Sequence, residues 1–523
     1  MVDSVFNEAN CCNKPAGNAD PASGGAGETN RVMKKLLKWI VPAVIGATIL
    51  VTPSQADDTA DAIAALKKQI EALNAKVDAL EQQHQAEVQQ SAPSAAAAPT
   101  TTGSAALGHT NVIPELGYVT VGSNGFWLRS ADSNFTMRLQ GVGQLDGHYF
   151  QSFNPGQKDT LTIRRLRAIA SGTVYHDYDY YVQADFGAGN SVTATNNSLL
   201  QDAYVNMHYW PGFQIQGGKF KEPVGLEILP ADASLWFVER GYPTELVPNR
   251  NVGIEVHGDL FDGALSYAAG MFNGVTDGGS GDIETGANSK DVAARIFAQP
   301  FRNTSVSGLK GFGLGFGTSY GYEGGAALPS FASLGRQTFF SYTNGASASV
   351  AEAGDHLRLV PQGWYFWGPA GLYWEYADSE EKFQLNRTGK KYLQERFDTK
   401  AWDVSASWYL TGEKNSLFSP PAPIHPFHID GSGLGAWQLV GRVSGLSLDD
   451  GAFNKKANFA AAGSAQHVTT WGVGLDWLMN KNIKWILEYE QSSFGFAPGY
   501  QAKAGTVAAQ DEKVLLTRLQ FTF

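Results

Sequence analysis

Alternation of apolar and polar residues, repeated in many short segments, constrains the fold of this chain more than any other feature. In one segment Trp402, Val404, Ala406 and Trp408 are separated by single polar residues. Successive side chains of a β-strand point to opposite faces, so this period of two predicts strands with one apolar and one polar face. The pattern recurs across residues 112–523, and we predict an all-β fold for this region.

The surroundings of the apolar faces distinguish a soluble β-sandwich from a membrane barrel. In an outer-membrane barrel these faces contact lipid, the polar faces line water, and aromatic residues lie near both interfaces. Here Trp471, Trp477, Trp485 and Tyr489 lie near segment ends, and only 17% of residues are charged. No long charge-free apolar run typical of a transmembrane helix is present. We therefore predict a transmembrane antiparallel β-barrel of about 16 strands in the bacterial outer membrane.

The connections between the predicted strands are of two kinds. Short segments at 368–371 and 479–482 are predicted periplasmic turns. Long, polar, Gly-rich segments are predicted extracellular loops, namely 276–290, 326–355 and 416–435. The chain ends on Phe523 after an alternating segment, which resembles the closing strand of bacterial barrels.

The N-terminal region begins with signals of export. Lys34 and Lys35 precede an apolar stretch, and Ser54-Gln55-Ala56 forms a small-x-small cleavage site. Residues 33–56 are therefore predicted to be a secretory signal peptide. Since this signal starts at Met33, residues 1–32 are predicted to come from an upstream start; a genuinely extended signal peptide is the alternative.

Residues 57–90 carry a heptad pattern. The seam alternates between spacings of three and four, with β-branched residues at position a and Leu at position d, namely Ile63, Leu66, Ile70, Leu73, Val77 and Leu80. The pattern predicts a short periplasmic coiled coil, for which packing rules favour a dimer unless the attached domain imposes three chains. A single amphipathic helix is the alternative. Residues 91–111 are rich in Ala, Pro, Ser and Thr and are predicted to be a flexible linker.

Cysteine content and charge exclude several functions. Cys11 and Cys12 lie in the upstream segment, so the mature chain is predicted to have no thiolate nucleophile, disulfide or Cys metal site. The net charge of −11 argues against nucleic acid as a partner. No Ser-His-acid set or phosphate-binding loop points to an enzyme or a cofactor, and His425 and His428 are interpreted as stray histidines of a Pro-rich loop.

One stretch is too polar and too rich in Gly and Pro to be a core strand throughout. It covers residues 217–227 and is followed by 237–241, with charges of both signs. We predict that this stretch is a strand end running into a loop near or inside the lumen, with Lys219, Lys221 and Arg240 as candidate pore charges.

A second group of charges is formed by Arg164, Arg165 and Arg167, where strand alternation should give one charge at every second residue. A guanidinium binds an oxyanion through paired hydrogen bonds and stays charged. Several cations around a lumen raise the local concentration of anions. These residues are candidate anion ligands; the alternatives are that they lie at the membrane interface or pair with Asp179 and Asp185.

Several motifs, in order, resemble the phosphate-selective porin O and P family. They are Phe135-Thr136-Met137-Arg138-Leu139-Gln140-Gly141, Ile163-Arg164-Arg165-Leu166, Glu239-Arg240, and the segments 218–227, 248–253, 268–274 and 408–413. The resemblance implies a homotrimer of 16-stranded barrels with a narrowed, Arg/Lys-lined pore. It also implies passive passage of inorganic phosphate or related small anions, without a cofactor.

The resemblance assigns roles to individual residues. Arg164, Arg165 and Arg240 match constriction arginines. Asp202 matches a constriction acid that can accept a hydrogen bond from a protonated phosphate. The chain departs from the phosphate-specific pattern at four positions, namely Val142, Ile228, Ala231 and Asp232. These departures favour general anion or oxyanion passage over a high-affinity phosphate site. The competing hypotheses are a porin without phosphate specificity, an envelope tether and an outer-membrane enzyme.

Overall fold

The computed structural model describes residues 117–122, 125–151, 157–187, 199–283, 289–325, 328–454, 457–501 and 511–523. The predicted upstream segment, signal peptide, coiled coil and linker lie outside these ranges and stay predictions. Among the described residues, no helix has the length and apolar character needed to cross a membrane.

Within these ranges the chain forms twenty β-strands and four short 3₁₀ helices. The strands are β1 (Tyr118–Gly122), β2 (Gly125–Arg129), β3 (Thr136–Phe150), β4 (Thr160–Val174), β5 (Tyr178–Asp185), β6 (Leu200–Trp210), β7 (Phe213–Lys221), β8 (Arg250–Leu260), β9 (Leu265–Phe272), β10 (Asp291–Ala298), β11 (Phe312–Gly325), β12 (Phe331–Ala332), β13 (Thr338–Phe340), β14 (Ala348–Trp367), β15 (Ala370–Arg387), β16 (Leu393–Tyr409), β17 (Ala436–Ser447), β18 (His467–Leu478), β19 (Ile483–Gly495) and β20 (Glu512–Thr522). The 3₁₀ helices are Asp232–Ser234, Tyr242–Glu245, Ser307–Leu309 and Asp450–Phe453.

Sixteen of these strands form a closed antiparallel barrel, which confirms the predicted fold class and strand number. Strands β3 to β11 and β14 to β20 each pair with the next, and β20 pairs with β3 to close the ring. The hairpin of β1 and β2 continues the sheet at the start of β3, whereas β12 and β13 form a separate two-stranded sheet.

A buried ion pair joins the first and last barrel strands. The Nε and Nη2 groups of Arg518 on β20 donate to the two carboxylate oxygens of Asp146 on β3, each at 2.7 Å. Neither side chain is accessible to solvent. Fork-to-carboxylate geometry of this kind fixes register as well as adding attraction, so the pair defines the seam of the barrel.

The two faces of each strand have the polarity that the alternation predicts. On β16, Trp402, Val404 and Trp408 are exposed on the outside, whereas Asp403 and Ser405 are buried on the inside. An apolar exterior and a polar interior are the pattern of a barrel surrounded by lipid. The alternation therefore gave both the strands and the orientation of their faces.

The connections agree with the prediction in part. The turns at 368–369 and 479–482 are confirmed, and 273–290 is a long connection as expected. The predicted loop 326–355 was too long. β14 begins at Ala348, so residues 348–355 belong to a strand that is longer than a typical membrane-spanning strand.

The side assigned to the segment 416–435 was wrong. It belongs to the connection between β16 and β17, residues 410–435, and antiparallel strands reverse direction at each connection. This connection therefore lies at the same end of the barrel as the short turns 368–369 and 479–482. Its Leu417 is buried against the interior residues Leu226 and Phe237, so its length serves to reach into the lumen.

The connection between β7 and β8, residues 222–249, crosses the interior of the barrel. The backbone N–H groups of Leu226 and Glu227 donate to the two carboxylate oxygens of Glu375 on β15, at 2.7 and 2.9 Å. Farther along, the Tyr242 hydroxyl lies 2.8 Å from Thr470 Oγ1 on β18. We call residues 222–249 the internal segment. Residues 217–221 belong to β7 and the internal segment follows them inside the wall, so the stretch is a strand end that runs into the lumen, as predicted.

Candidate functional site

A β-bulge explains why three arginines crowd on β4. Gln144 of β3 pairs with Arg165 and the next residue of β3 pairs with Ile163, which leaves Arg164 as an extra residue. Such an extra residue re-aims the side chains beside it. Ile163 and Leu166 are exposed on the outside, whereas Arg165 is buried and Arg164 has an ion-pair partner in the internal segment. Neighbouring arginines thereby face the same lumen.

Three of the predicted cations converge on Asp232, in the first 3₁₀ helix of the internal segment. Nη2 of Arg165 lies 3.2 Å from Asp232 Oδ1. Arg167 and Arg240 each donate through Nη1 to the same carboxylate. We call Arg165, Arg167, Arg240 and Asp232 the arginine cluster. The wall and the internal segment contribute to it together, because Arg165 and Arg167 lie on β4.

The charges of the cluster keep Asp232 ionised. Burial disfavours the carboxylate, but the attraction of Arg165, Arg167 and Arg240 exceeds that effect and holds the pKa of Asp232 well below its usual range. Asp232 is 3% exposed, so bulk water screens these interactions little. The arginine cluster therefore contains a permanently negative group at its centre near neutral pH.

Arg164 has a different partner. Its Nε and Nη2 groups donate to the two carboxylate oxygens of Glu239, at 2.8 and 3.3 Å. Burial raises the pKa of Glu239, but Arg164 and Arg336 outweigh it and hold that pKa well below the usual value. Arg164 therefore links β4 to the internal segment through Glu239, the residue that precedes Arg240.

The remaining predicted cations also bind acceptors inside the barrel. Lys221 donates through Nζ to the carbonyl oxygens of Leu229 and Pro230, at 3.1 and 2.6 Å. Lys219 donates to the carbonyl oxygen of Leu200 at 2.7 Å and pairs with Asp282. Lys221 thus supports the backbone that carries Asp232, whereas Lys219 lies outside the arginine cluster.

Asp202 forms a separate pair. Its Oδ2 accepts from Nε of Arg250 on β8 at 3.0 Å and from Nε2 of Gln183 on β5 at 2.9 Å. The structure therefore does not bring Asp202 into contact with the arginines that bind Asp232. Its carboxylate is already engaged by a guanidinium and an amide.

The alternative prediction, that the β4 arginines pair with Asp179 and Asp185, is correct only for Arg167. Nε of Arg167 donates to Asp185 Oδ2 at 2.8 Å, so Arg167 bridges Asp185 and Asp232. Asp179 instead accepts from Thr173 Oγ1 and lies 3.1 Å from His208 Nδ1. Arg165 and Arg167 are 5% and 8% exposed, which excludes the interfacial position for both.

Cations exceed carboxylates around the arginine cluster. Five cationic and three acidic side chains are joined by ion pairs, namely Arg164, Arg165, Arg167, Arg240 and Arg336 with Asp185, Asp232 and Glu239. The excess is two positive charges. A positive excess with low-dielectric walls produces a potential that attracts anions.

Sequence reasoning did not identify Gln144 and Arg250 as members of these networks. Gln144 accepts from Nη1 of Arg165 at 2.9 Å, and Arg250 engages Asp202. Strand alternation placed Gln144 on the polar face, and this was the available signal. The partners themselves depend on which residues the strand register brings together, and polarity alone does not give that register.

Two of the departures from the phosphate-specific pattern are apolar residues that add no charge to the site. Ile228 is 4% exposed and packs in an apolar cluster with Val224 and Tyr242. Val142 pairs with Arg167 across the β3–β4 ladder and contributes no charge there. Asp232 is the departure that lies at the centre of the site. Ala231 adjoins it at the start of the 3₁₀ helix.

One group of described residues has the spacing of metal ligands. Asp277, His356 and Glu381 offer ligand atoms within 4.8 Å of one another. They lie apart from the arginine cluster, Asp277 in the connection 273–290 and the other two on β14 and β15. His425 and His428 do not form such a group with other described residues.

Comparisons with known proteins give one family match. The model described as phosphate-selective porin O and P matches residues 136–523. No curated protein matches the chain. Solved structures that resemble it include OmpT of Vibrio cholerae, with 12% identity over 75% of this chain and 98% of that chain and a TM-score of 0.44. The anion-selective porin from Comamonas acidovorans has 12% identity, 74% and 100% coverage and a TM-score of 0.42. The outer membrane channel DcaP of Acinetobacter baumannii has 10% identity, 75% and 98% coverage and a TM-score of 0.44. Because these TM-scores are below 0.5, the class of this chain rests on the family match.

Proposed function

The chain belongs to the phosphate-selective porin O and P family and is an outer-membrane channel rather than an enzyme, and from this premise we propose that it conducts small anions passively. The arginine cluster is the proposed selectivity element. The observation that carries the proposal is the excess of two positive charges among the eight ion-paired side chains in and around the arginine cluster. The positive potential of this region lowers the barrier to the entry of anions.

Phosphate and related oxyanions are the proposed solutes because guanidinium groups bind paired oxygens. Arg165, Arg167 and Arg240 direct N–H groups toward one position from different sides. A bidentate carboxylate currently fills that position, and phosphate has the same acceptor geometry. Asp232 thereby acts as an internal competitor, so the proposed affinity for phosphate is low and passage is general among small oxyanions.

A porin without anion preference is the second candidate. It is favoured by one observation, which is that each arginine of the cluster has a carboxylate partner. Paired charges create a weaker field than isolated ones, because each carboxylate cancels part of the potential of its partner.

We also propose a homotrimer whose coiled coil, residues 57–90, lies in the periplasm. The heptad pattern supports self-association, and its short length allows the barrel to set the number of chains. In this arrangement the linker at 91–111 joins the coiled coil to the barrel in the outer membrane.

Reversal potentials in planar bilayers test the selectivity. Full-length protein in a KCl gradient is expected to show anion preference and three equal conductance steps per insertion. The double variant Arg165→Ala, Arg240→Ala is expected to reduce the chloride-to-potassium permeability ratio severalfold, because it removes two charges from the cluster. Adding phosphate to chloride is expected to reduce conductance only at millimolar or higher concentration, the range of weak sites.

Arg396→Ala is the matched control, because Arg396 also pairs with a carboxylate, that of Asp355, but lies outside the arginine cluster. Its permeability ratio should remain near that of the native channel. Cation preference of the native channel would contradict the anion proposal and favour the second candidate. Equal ratios in the native and doubly substituted channels would remove the arginine cluster from the mechanism.

A further inference from the structure

A second group of buried charges has the opposite sign to the arginine cluster. It lies where β10, β11, β14 and β15 meet the connection 273–290. Five carboxyl side chains, each at least nine-tenths buried, belong to it, namely Asp277, Asp291, Glu323, Glu352 and Glu381. Buried carboxylates are ordinarily paired with cations or bound to metal ions.

Arg358 neutralises only part of this group. Its Nε donates to Asp277 Oδ1 at 2.8 Å, and its Nη1 lies 3.7 Å from Asp291 Oδ2. Nη1 also donates to Ser319 Oγ, and Nη2 donates to the carbonyl oxygen of Val275. Each nitrogen of the guanidinium therefore has a partner on β10, on β11 or in the connection 273–290. Among the described residues it makes no ion pair with Glu352 or Glu381.

Hydrogen bonds to one ring nitrogen fix the tautomer of His356. Ser379 Oγ donates to Asp277 Oδ2 at 2.7 Å, which uses its only proton. The same Oγ lies 2.8 Å from His356 Nε2 and must accept there, so Nε2 carries a hydrogen. Asp277 Oδ1 lies 3.2 Å from the same nitrogen. In the neutral ring, Nδ1 is consequently left with a lone pair.

That lone pair faces a carboxylate. His356 Nδ1 lies 3.8 Å from Glu381 Oε2, and this distance is too long for a direct hydrogen bond. Nδ1 and both oxygens of Glu381 have no hydrogen-bond partner, although His356 is fully buried and Glu381 is 2% exposed. Glu352, on the adjacent strand, leaves one carboxylate oxygen unpartnered as well. Acceptors that face one another in a buried space require either a shared proton or a metal ion between them.

We propose that this space binds one divalent transition-metal ion. His356 Nδ1 and the carboxylates of Glu381 and Glu352 are the ligands. Asp277 and Ser379 hold the opposite ring nitrogen, which is the carboxylate–histidine–metal arrangement that orients a metal-bound imidazole. Glu381 Oε2 already lies 3.8 Å from His356 Nδ1, and Glu352 adjoins Glu381, so binding needs only small side-chain rotations.

The ligand types select the class of ion. Imidazole nitrogen suits Zn²⁺, Cu²⁺, Ni²⁺ or Fe²⁺, whereas Ca²⁺ and Mg²⁺ prefer sites made wholly of oxygen. One imidazole and two carboxylates leave an open position for water on a tetrahedral ion. The ion joins β14 to β15, and through Asp277 it also fixes the connection 273–290 against the wall.

Metal analysis of the full-length protein tests the site. The protein is unfolded in a chelator, refolded in detergent with Zn²⁺ and separated from free metal at pH 7. One Zn²⁺ per chain is expected, with one imidazole nitrogen in the X-ray absorption spectrum. His356→Gln and Glu381→Gln are each expected to weaken Zn²⁺ binding at least tenfold. Ser379→Ala, which keeps every charge, is expected to weaken it by roughly tenfold, the effect of a lost outer partner.

His257→Gln is the matched control, because His257 is a lumen histidine of β8 that bonds to Asn206 instead of to a carboxylate group. It should retain one Zn²⁺ per chain. Heat-dependent gel migration verifies folding, and Ser379→Ala decides the matter if a charge variant does not fold. The proposal is overturned if native protein retains no more Zn²⁺ than His356→Gln, as expected when a proton fills the space. Zn²⁺ binding without an imidazole ligand, or binding unchanged in Ser379→Ala, overturns it as well.

Discussion

Asp232 shows how one side chain can set the character of a pore. Its carboxylate lies within hydrogen-bonding or ion-pair distance of Arg165, Arg167 and Arg240, so it occupies the position that an anionic solute would take. A solute must displace or share these interactions, and the guanidinium groups gain little by exchanging one oxyanion for another. The same three arginines around a neutral residue would form an open anion site.

Replacement of Asp232 by Asn is expected to increase anion preference and phosphate block. The removed charge lies at contact distance from the arginines, where a unit charge changes the energy of an incoming anion by about 1 kcal/mol or more. Half-block by phosphate should therefore occur at roughly tenfold lower concentration, measured by conductance in chloride with phosphate titrated in.

Asp282→Asn is the control, since Asp282 pairs with Lys219 and its side chain is 44% exposed. It should change half-block much less. An unchanged phosphate block in Asp232→Asn would show that the arginine cluster does not contact the permeating anion.

The effect of Asp232 on selectivity is also expected to be constant from pH 7 to pH 5. The arginines hold the pKa of Asp232 well below 3.8, so the carboxylate stays ionised over this interval. Its contribution to stability is complete above the unfolded pKa and is lost only as pH falls through the lower folded pKa. The difference in reversal potential between native and Asp232→Asn channels, measured at each pH, should therefore not shrink.

At the scale of elements, the internal segment depends on close contact with the wall. A Cβ atom on Gly317 of β11 would lie 1.9 Å from the carbonyl oxygen of Val224. A Cβ atom on Gly241 would lie 2.5 Å from Asp403 Oδ1 of β16. Glycine is therefore required at Gly317, where the neighbour is backbone, whereas at Gly241 the side chain of Asp403 would have to shift.

Gly317→Ala is expected to displace the internal segment near Val224. A backbone oxygen cannot move aside as a flexible side chain can, so we expect destabilisation of about 1–3 kcal/mol and an altered conductance. Thermal unfolding and single-channel recordings measure the two effects. Gly441→Ala is the control, because its Cβ would meet its nearest atom at 3.8 Å, an ordinary contact. Equal behaviour of the two variants would contradict the close contact between β11 and the internal segment.

At the scale of the whole molecule, the barrel is closed by contacts between residues that are far apart in sequence. Asp146 and Arg518 meet at the β3–β20 seam, separated by 372 positions. Such pairing is non-local, and closing a long loop costs conformational entropy before the contact forms. The buried ion pair favours one register of the two strands over its neighbours.

Asp146→Asn is expected to lower the unfolding midpoint in denaturant. It leaves Arg518 buried without its carboxylate partner, and breaking a buried pair in this way costs about 3–5 kcal/mol. Asp398→Asn removes half of a partly exposed pair with Lys400 and is expected to cost less than about 1 kcal/mol. Equal unfolding midpoints for the two variants would show that the seam pair does not stabilise closure.

The sequence by itself determined the barrel, its strand number and the polarity of its two faces. These follow from local alternation, because a strand in lipid must expose apolar side chains and pair every backbone group. Alternating segments such as β16 supported this conclusion, and several motifs in order, including that at 163–166, supported the family. The side on which 410–435 lies required the strand order, since length does not fix direction.

The partners of the charges were decided only by tertiary structure. The polar face of β4 identified Arg165 and Arg167 as inward residues, but alternation carries no information about which residue of the internal segment meets them. The bulge at Arg164 and the path of 222–249 across the lumen bring Asp232 to them. Long-range strand pairing sets those positions. The family motif therefore predicted the arginines, whereas only the fold shows that they pair with a carboxylate of the same chain.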